Sequence, residues 1–249
     1  MIKKHIPNTL TCCNLISGCI ATSMAFAGNP RLALLWIVIG AAFDFFDGMS
    51  ARLLHVSSPI GKELDSLADV VTFGVAPSAI IFAELYVMDA PAVVTSHSIF
   101  GISLRQLIPY FAFVMAAFSA LRLAKFNLDE RQTSSFIGLP TPANALYWGS
   151  LIVGLSSYLE KDSFAYPVLL FMVCVSCWLL VAEIPMFALK FKHWGWKGNE
   201  VKYIFLITCI PILLFFGIAG LAIIIAWYVV LSIISHRLSL STQPQTPNN

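Results

Sequence analysis

Charge is what this sequence has least of: Asp, Glu, Lys and Arg make up 11% of its 249 residues, against roughly a quarter in soluble domains. A chain so poor in charge cannot clothe a water-facing surface, and its 58% of apolar residues must face something other than water. Neither sign of charge prevails, the formal net charge being +2. No basic cluster with interleaved aromatics occurs either, which argues against a nucleic-acid partner. Histidine at ligand spacing is missing beside Cys12, Cys13, Cys19, Cys174, Cys177 and Cys209, which all lie in apolar helical text. They therefore read as small packing residues, not as zinc ligands or a disulfide framework. The first apolar stretch lacks a small-residue cleavage site and is interrupted by Asn8 and Asn14, so it is expected to stay as the first span. No internal repeat and no second domain are evident. Residues 1–238 are read as one membrane domain and 239–249, polar with two prolines, as a disordered tail.

What the sequence has instead is long apolar runs. At about 20 residues per span they predict an all-α integral membrane protein, a polytopic bundle of about eight transmembrane helices. The helices are expected near 9–27, 32–55, 62–87, 105–126, 142–159, 165–189, 200–217 and 219–236. The last pair is the open division, because Lys202 to Ser235 is apolar throughout and only Pro211, Gly217 and Gly220 punctuate it; a hairpin is preferred. With the N-terminus inside, twelve of the fifteen basic residues fall on the inner side: Lys3, Lys4, Arg52, Lys62, Arg122, Lys125, Arg131, Lys190, Lys192, Lys197, Lys202 and Arg237. Only Arg31, Arg105 and Lys161 fall outside, so both termini are expected to be cytoplasmic. Trp194 and Trp196 among the later lysines suggest an interfacial belt facing anionic lipid.

Against that background the stretch Asp44 to Asp69 stands out: Asp44, Asp47, Gly48, Ala51, Arg52, Gly61, Asp65 and Asp69, framed by apolar sequence. An Asp at the centre of a membrane helix costs about 2.5–3.5 kcal/mol on insertion scales, so these four must face inward. Asp44 and Asp47 are spaced i, i+3 and Asp65 and Asp69 i, i+4, so each pair projects from one helical face, forming together a carboxylate cage. Clustered hard oxygen ligands suit one or two Mg2+ or Mn2+ ions. Gly48 and Ala51 clear side chains from the same face, and Arg52 offers a planar fork for phosphate oxygens. Metal, Arg and bare backbone together suggest a diphosphate ligand. Two other readings stay open: an ion-pair network tying two buried helices, against which the surplus of acids over Arg52 and Lys62 counts, and a cation transporter, which has no need of Gly48, Ala51 and Arg52. Asp44 lies roughly 12 Å of helix rise from Arg52, which places the site below the cytoplasmic surface, not at the midplane. His55 reads as an interfacial polar residue, and Pro77 as a kink just past the site.

The skeleton D-x2-D-G-x2-A-R-x8-G-x3-D-x3-D resembles the signature of the CDP-alcohol phosphotransferase family, with every fixed position filled. The neighbouring text Gly61 to Ser78 is similar in particular to the bacterial and archaeal phosphatidylserine synthases of that family. The resemblance implies transfer of the phosphatidyl group of CDP-diacylglycerol to the hydroxyl of L-serine with release of CMP. It implies that Asp44, Asp47, Asp65 and Asp69 hold the metal and that Asp69 also serves as general base. Gly48, Ala51, Arg52, Gly61, Asn8 and Thr11 are implied to contact CDP-diacylglycerol, the last two through a P-N-x-x-T that resembles the family's first-helix motif. Ser58 either caps the third helix or, by the resemblance, donates to a phosphate. RLAKFN at Arg122–Asn127, followed by Phe136 to Asn144, is similar to segments that flank the acceptor pocket, which makes Arg122 and Asn127 candidates for holding serine. Glycerol 3-phosphate, an inositol compound or choline remain alternative acceptors, although a phosphorylated one would ask for more basic residues than Arg122, Lys125 and Arg131. Glu183 is read as structural, within an apolar helix. The family also implies a homodimer in the cell (inner, cytoplasmic) membrane, with the active site facing the cytoplasm.

Overall fold

Proline, glycine and asparagine punctuate the apolar runs, and the helices of the computed structural model begin and end at them; it describes residues 5–56, 58–129, 136–187, 195–196 and 199–241, side chains of Phe136 and residues 236–241 excepted. Helix α1 (His5–Phe26) gives way to Gly28, and the Asn29 side chain caps α2 (Pro30–Leu53) by accepting from Leu32 N at 3.1 Å. Ser58 repeats the device for α3 (Pro59–Asp69), its hydroxyl oxygen accepting from Gly61 N at 3.0 Å. In both helices a proline takes the first position, where its missing N–H costs nothing.

Helix α3 runs through a π-helical turn, Val70–Val75, into α4 (Ala76–Val87). The irregularity expected at Pro77 thus falls in the turn before it: Ala76 N reaches back to Val71 O, and the Ser78 hydroxyl donates to Gly74 O at 2.7 Å. A π turn absorbs one extra residue and re-aims the side chains on either side of it. After the short α5 (Ala92–Ser96) and a small hairpin of β1 (Ser98–Ile99) with β2 (Ile102–Ser103), α6 (Leu104–Leu107) leads through a 3-10 segment into α7 (Val114–Leu128). Then come β3 (Phe136–Ile137), α8 (Thr141–Leu159), α9 (Ala165–Val181), β4 (Pro185–Met186) and α10 (Glu200–Ser241).

Helix α10 is two arms. Gly217 has φ 55° and ψ −128°, and Trp227 Nε1 donates to Thr208 Oγ1 at 3.1 Å across nineteen positions. A straight helix would hold those residues about 28 Å apart, so the chain reverses at Gly217 and the preferred hairpin is what forms. Counting its two arms, α3–α4 and α6–α7 as single rods, the described residues give eight rods. Among the described residues, five helices are long and apolar enough to cross a membrane, and Ala165–Val181 is a shorter apolar one. The chain is an all-α, multi-pass membrane protein.

Two boundaries differ most from expectation, the others falling within four residues of it. Helix α9 stops at Val181 instead of 189, because Pro185 disfavours helix at Ile184 and the segment pairs with β3, Phe136 opposite Met186 and Ile137 opposite Pro185. Glu183 therefore lies past the helix, not within it. The last helix extends to Ser241, so the first three residues of the expected tail are helical. Lys3, Lys4, Ser57, Arg131, Lys190, Lys192, Trp194, Lys197 and residues 242–249 lie outside the described residues.

The core gathers Ile37, Phe73, Ile80, Met115, Trp148 and Ile152 where α2, the π turn, α4, α7 and α8 meet. Lipid offers no hydrophobic drive between helices, so association relies on close approach at small residues. A Cβ placed on Gly74 would lie 3.1 Å from Ser119 Cβ on α7, and one on Gly40 would lie 3.0 Å from Asn14 Oδ1 on α1. These approaches seat the π turn on α7 and α2 on α1.

Candidate active site

Helices α2 and α3 present their acidic faces to each other. Asp44, Asp47 and Asp65 each offer a carboxylate oxygen such that the three lie within 4.8 Å of one another. The side chains of Asp44 and Asp65 are within hydrogen-bonding reach, and Asp65 Oδ1 is buried with no partner. Carboxylates forced together need a positive charge between them, and an orphaned buried oxygen needs a donor or a cation. Three hard oxygen donors, one of them unsatisfied, fit a divalent ion of the magnesium kind.

Asp69 stands apart from this triad, a departure from the expectation that it joins the other three on the metal. One turn beyond Asp65, it is 8% exposed and accepts a hydrogen bond from Asn14 Nδ2 at 3.1 Å. It still feels the three other carboxylates electrostatically, so it borders the cluster. Helix α1 thus supplies polar partners to both acidic helices, since the Thr11 hydroxyl donates to Asp47 Oδ2 at 2.6 Å.

Beside the triad opens a cleft of about 580 Å³, and it collects the residues that the sequence singled out. Asn8 and Thr11 come from α1, Asp47, Gly48, Ala51 and Arg52 from α2, and Ser58, Gly61 and Asp65 from the start of α3. Asp44 and Asp69 are not among its lining residues. A Cβ on Gly48 would meet no atom within 4 Å, so nothing in the protein demands a glycine there; the room belongs to the cleft. Gly61 differs: a Cβ there would come within 3.1 Å of Asn8 Oδ1 and 3.0 Å of Ser58 Oγ, so its bareness lets α1 close on α3. Arg52 is exposed, its Nε donating to Gly48 O at 3.0 Å, which leaves the terminal fork to the cleft. The Ser58 oxygen accepts the α3 cap while its O–H remains to donate, so capping and phosphate contact are compatible. His55 lines the cleft but is not among the triad.

A second cleft, of about 410 Å³, lies among the end of α7, Ile137 of β3, and the end of α9. Arg122, Lys125 and Glu183 line it. Arg122 is 7% exposed, has a buried Nε without a hydrogen-bond partner, and interacts electrostatically with Asp69. Asn127 is not among the residues lining that cleft: its Nδ2 donates to Ser66 Oγ at 2.8 Å, and its carbonyl accepts from Lys62 Nζ at 3.0 Å. Asn127 is therefore a clamp between α7 and α3. The site partner that sequence reasoning passed over is Asn14. Its signal was an amide three residues beyond Thr11, on the same face of an apolar helix.

Comparison with known proteins agrees with this geometry. The CDP-alcohol phosphatidyltransferase family profile matches residues 4–181, which include the first cleft and most of the second. A CDP-diacylglycerol-serine O-phosphatidyltransferase of Bacillus subtilis is 35% identical over 202 residues, 79% of this chain and 95% of that protein. Proteins of the same name from Saccharomyces cerevisiae and Helicobacter pylori are 33% and 34% identical over 177 and 142 residues, 65% and 56% of this chain. The chain covers little more than half of those two, 56% and 54% of their lengths. With the signature residues in place around one cleft and the profile spanning most of the helices, the chain belongs to the CDP-alcohol phosphatidyltransferase family.

Proposed function

We propose that this protein transfers the phosphatidyl group of CDP-diacylglycerol to the hydroxyl of L-serine, releasing CMP, as a phosphatidylserine synthase of phospholipid biosynthesis. The observation that carries the reading is the first cleft, where a carboxylate triad, an arginine and a glycine-bared helix face converge. The serine acceptor is supported by relatives named for it and by the buried, incompletely paired Arg122, a suitable partner for the serine carboxylate.

In this reading Asp44, Asp47 and Asp65 hold the metal. A divalent ion on them, Mg2+ or Mn2+, would neutralise the diphosphate charge and ease the departure of CMP. Arg52 holds diphosphate oxygens, with Ser58 donating from the other rim. Gly48, Ala51 and Gly61 let the substrate approach the backbone, and Asn8 and Thr11 border the CDP group. Arg122 orients serine, and Asn127 acts indirectly by fixing α7 to α3. Asp69 takes the serine hydroxyl proton as that oxygen bonds to the phosphorus bearing diacylglycerol; the bond from phosphorus to the CMP oxygen breaks, and CMP leaves with its electron pair. The bias of basic residues supports a cytoplasmic cleft and cytoplasmic termini in the cell membrane, and the family resemblance supports a homodimer.

The test is CMP release by the purified protein from CDP-diacylglycerol with Mn2+ or Mg2+, offered L-serine, glycerol 3-phosphate, inositol or choline separately. Release is expected with serine alone, to depend on the metal, and to disappear in Asp69→Asn. Release with another acceptor would overturn the assignment of serine, and no release by folded protein with any of them would return the acidic cluster to a transport role.

A further inference from the structure

From the contacts of Asn14 we infer that it is a positioning residue for the reaction, holding the Asp69 carboxylate by one oxygen so that the other meets the acceptor hydroxyl. The inference rests on the reading of Asp69 as the base. Asn14 is fully buried on α1. Its carbonyl accepts from Thr72 Oγ1 at 2.9 Å, which docks α1 against the π turn that follows Asp69. Its side chain makes one hydrogen bond in the structure, Nδ2 to Asp69 Oδ1 at 3.1 Å. A carboxylate only accepts, so this bond also decides which way the amide points. The other end of the amide, Oδ1, is buried against the bare face of Gly40 with no donor.

That orphan is the informative feature. A buried acceptor without a donor weakens the fold, and leucine, of nearly the same shape, would fill the place without it. Packing therefore does not call for an amide at position 14; what the amide adds is its grip on Asp69. The grip explains why Asp69, one turn from Asp65 on the same helix face, stays outside the triad. Oδ1 is held toward α1, and Oδ2 is left for the substrate. Thr11, three residues earlier, does the same for Asp47, so one face of α1 orients a carboxylate on each acidic helix.

The experiment is steady-state kinetics of Asn14→Leu in the full-length protein, with serine, CDP-diacylglycerol and Mn2+ varied in turn and thermal stability measured alongside. The expected result is a kcat lower by roughly 10- to 100-fold, the usual scale for losing the partner that orients a catalytic or metal-binding group. KM for serine, KM for CDP-diacylglycerol and the Mn2+ midpoint should stay at the parent values, and melting should occur no lower than in the parent. Asn14→Ala, too short to reach Asp69 and too small to clash, is read in parallel and carries the same expectation should the leucine variant not fold. Parental kcat in either folded variant, or a kcat loss matched by a shifted Mn2+ midpoint or serine KM, would overturn the inference. Asp69→Asn run beside them separates the two claims: parental activity there overturns the base assignment, whereas an inactive Asp69→Asn with a fully active Asn14→Leu overturns positioning alone.

Discussion

The two clefts of this molecule are built in opposite ways. The first draws its walls from three consecutive helices between Pro7 and Asp65, with chemistry carried by residues three and four apart on helical faces. The second joins α7 to the end of α9, more than fifty positions away, across a turn that no periodicity announces. Gly138 makes that turn: at φ 74° its N–H donates to Ile184 O at 2.9 Å, while Leu139 N reaches Leu179 O at the same distance. A site written in local spacing reports its chemistry directly, whereas one assembled by backbone turns reports only its raw materials. If the comparison holds, breaking the first cleft should stop the reaction whatever acceptor is offered. Asp47→Asn removes a charge from the triad and leaves Thr11 with a weaker acceptor. CMP release is expected to fall on the order of 10³-fold, the upper range for removing one preorganised electrostatic group, with a higher Mn2+ midpoint. Assays at saturating and limiting metal check both parts.

The second cleft should fail differently. Arg122→Met keeps the length of the stem and removes the guanidinium. KM for serine is expected to rise roughly 10- to 100-fold, as when a hydrogen bond to a charged group is lost. KM for CDP-diacylglycerol should stay at the parent value, and separate titrations of the two substrates check the split. A parallel rise in both would mean that the clefts are one functional unit.

The same contrast governs how much could be read from the sequence. Helix positions were legible because the apolar runs are about one span long and a chain with so few charges has to lie in lipid, although the starts at Pro30 and Pro59, capped by Asn29 and Ser58, fall two and three residues before those expected. The reversal at Gly217 was marked by its punctuation. The acidic cluster was legible because four aspartates at helical spacing within apolar sequence have no inexpensive alternative. The end of α9 was misplaced because Ala182 to Leu189 is mostly apolar; Pro185 was the available sign, and the pairing with Phe136–Ile137 that settles it is a long-range contact. The π turn was legible only as Pro77, two residues past its end, because the register shift answers to the packing of Gly74 against Ser119. The partner of Asn127 was not legible, because sequence gives its proximity to Arg122 along the helix but not the direction of its amide, which turns to Ser66.

Two glycines bring the comparison to its smallest scale. At Gly138 an added methyl would lie 2.8 Å from Leu180 O and 3.1 Å from Ala182 O, on a backbone whose positive φ side chains rarely adopt. Gly138→Ala is expected to cost about 1–3 kcal/mol of stability, lowering the melting temperature and loosening the second cleft first. At Gly48 an added methyl meets no protein atom within 4 Å, and the position is helical. Gly48→Ala is therefore expected to stabilise the protein by up to about 1 kcal/mol, from helix propensity alone. The same methyl enters the space read as belonging to the substrate. Crowding there typically costs about 1–3 kcal/mol, so KM for CDP-diacylglycerol should rise roughly 10-fold while KM for serine holds. Higher stability with weaker lipid-nucleotide binding, from one methyl group, is an outcome that a purely structural role for Gly48 cannot produce. An unchanged KM in a stabilised variant would show that the substrate lies elsewhere in the cleft, and the skeleton of bare helix face and arginine would then have to be divided between Ala51 and Arg52.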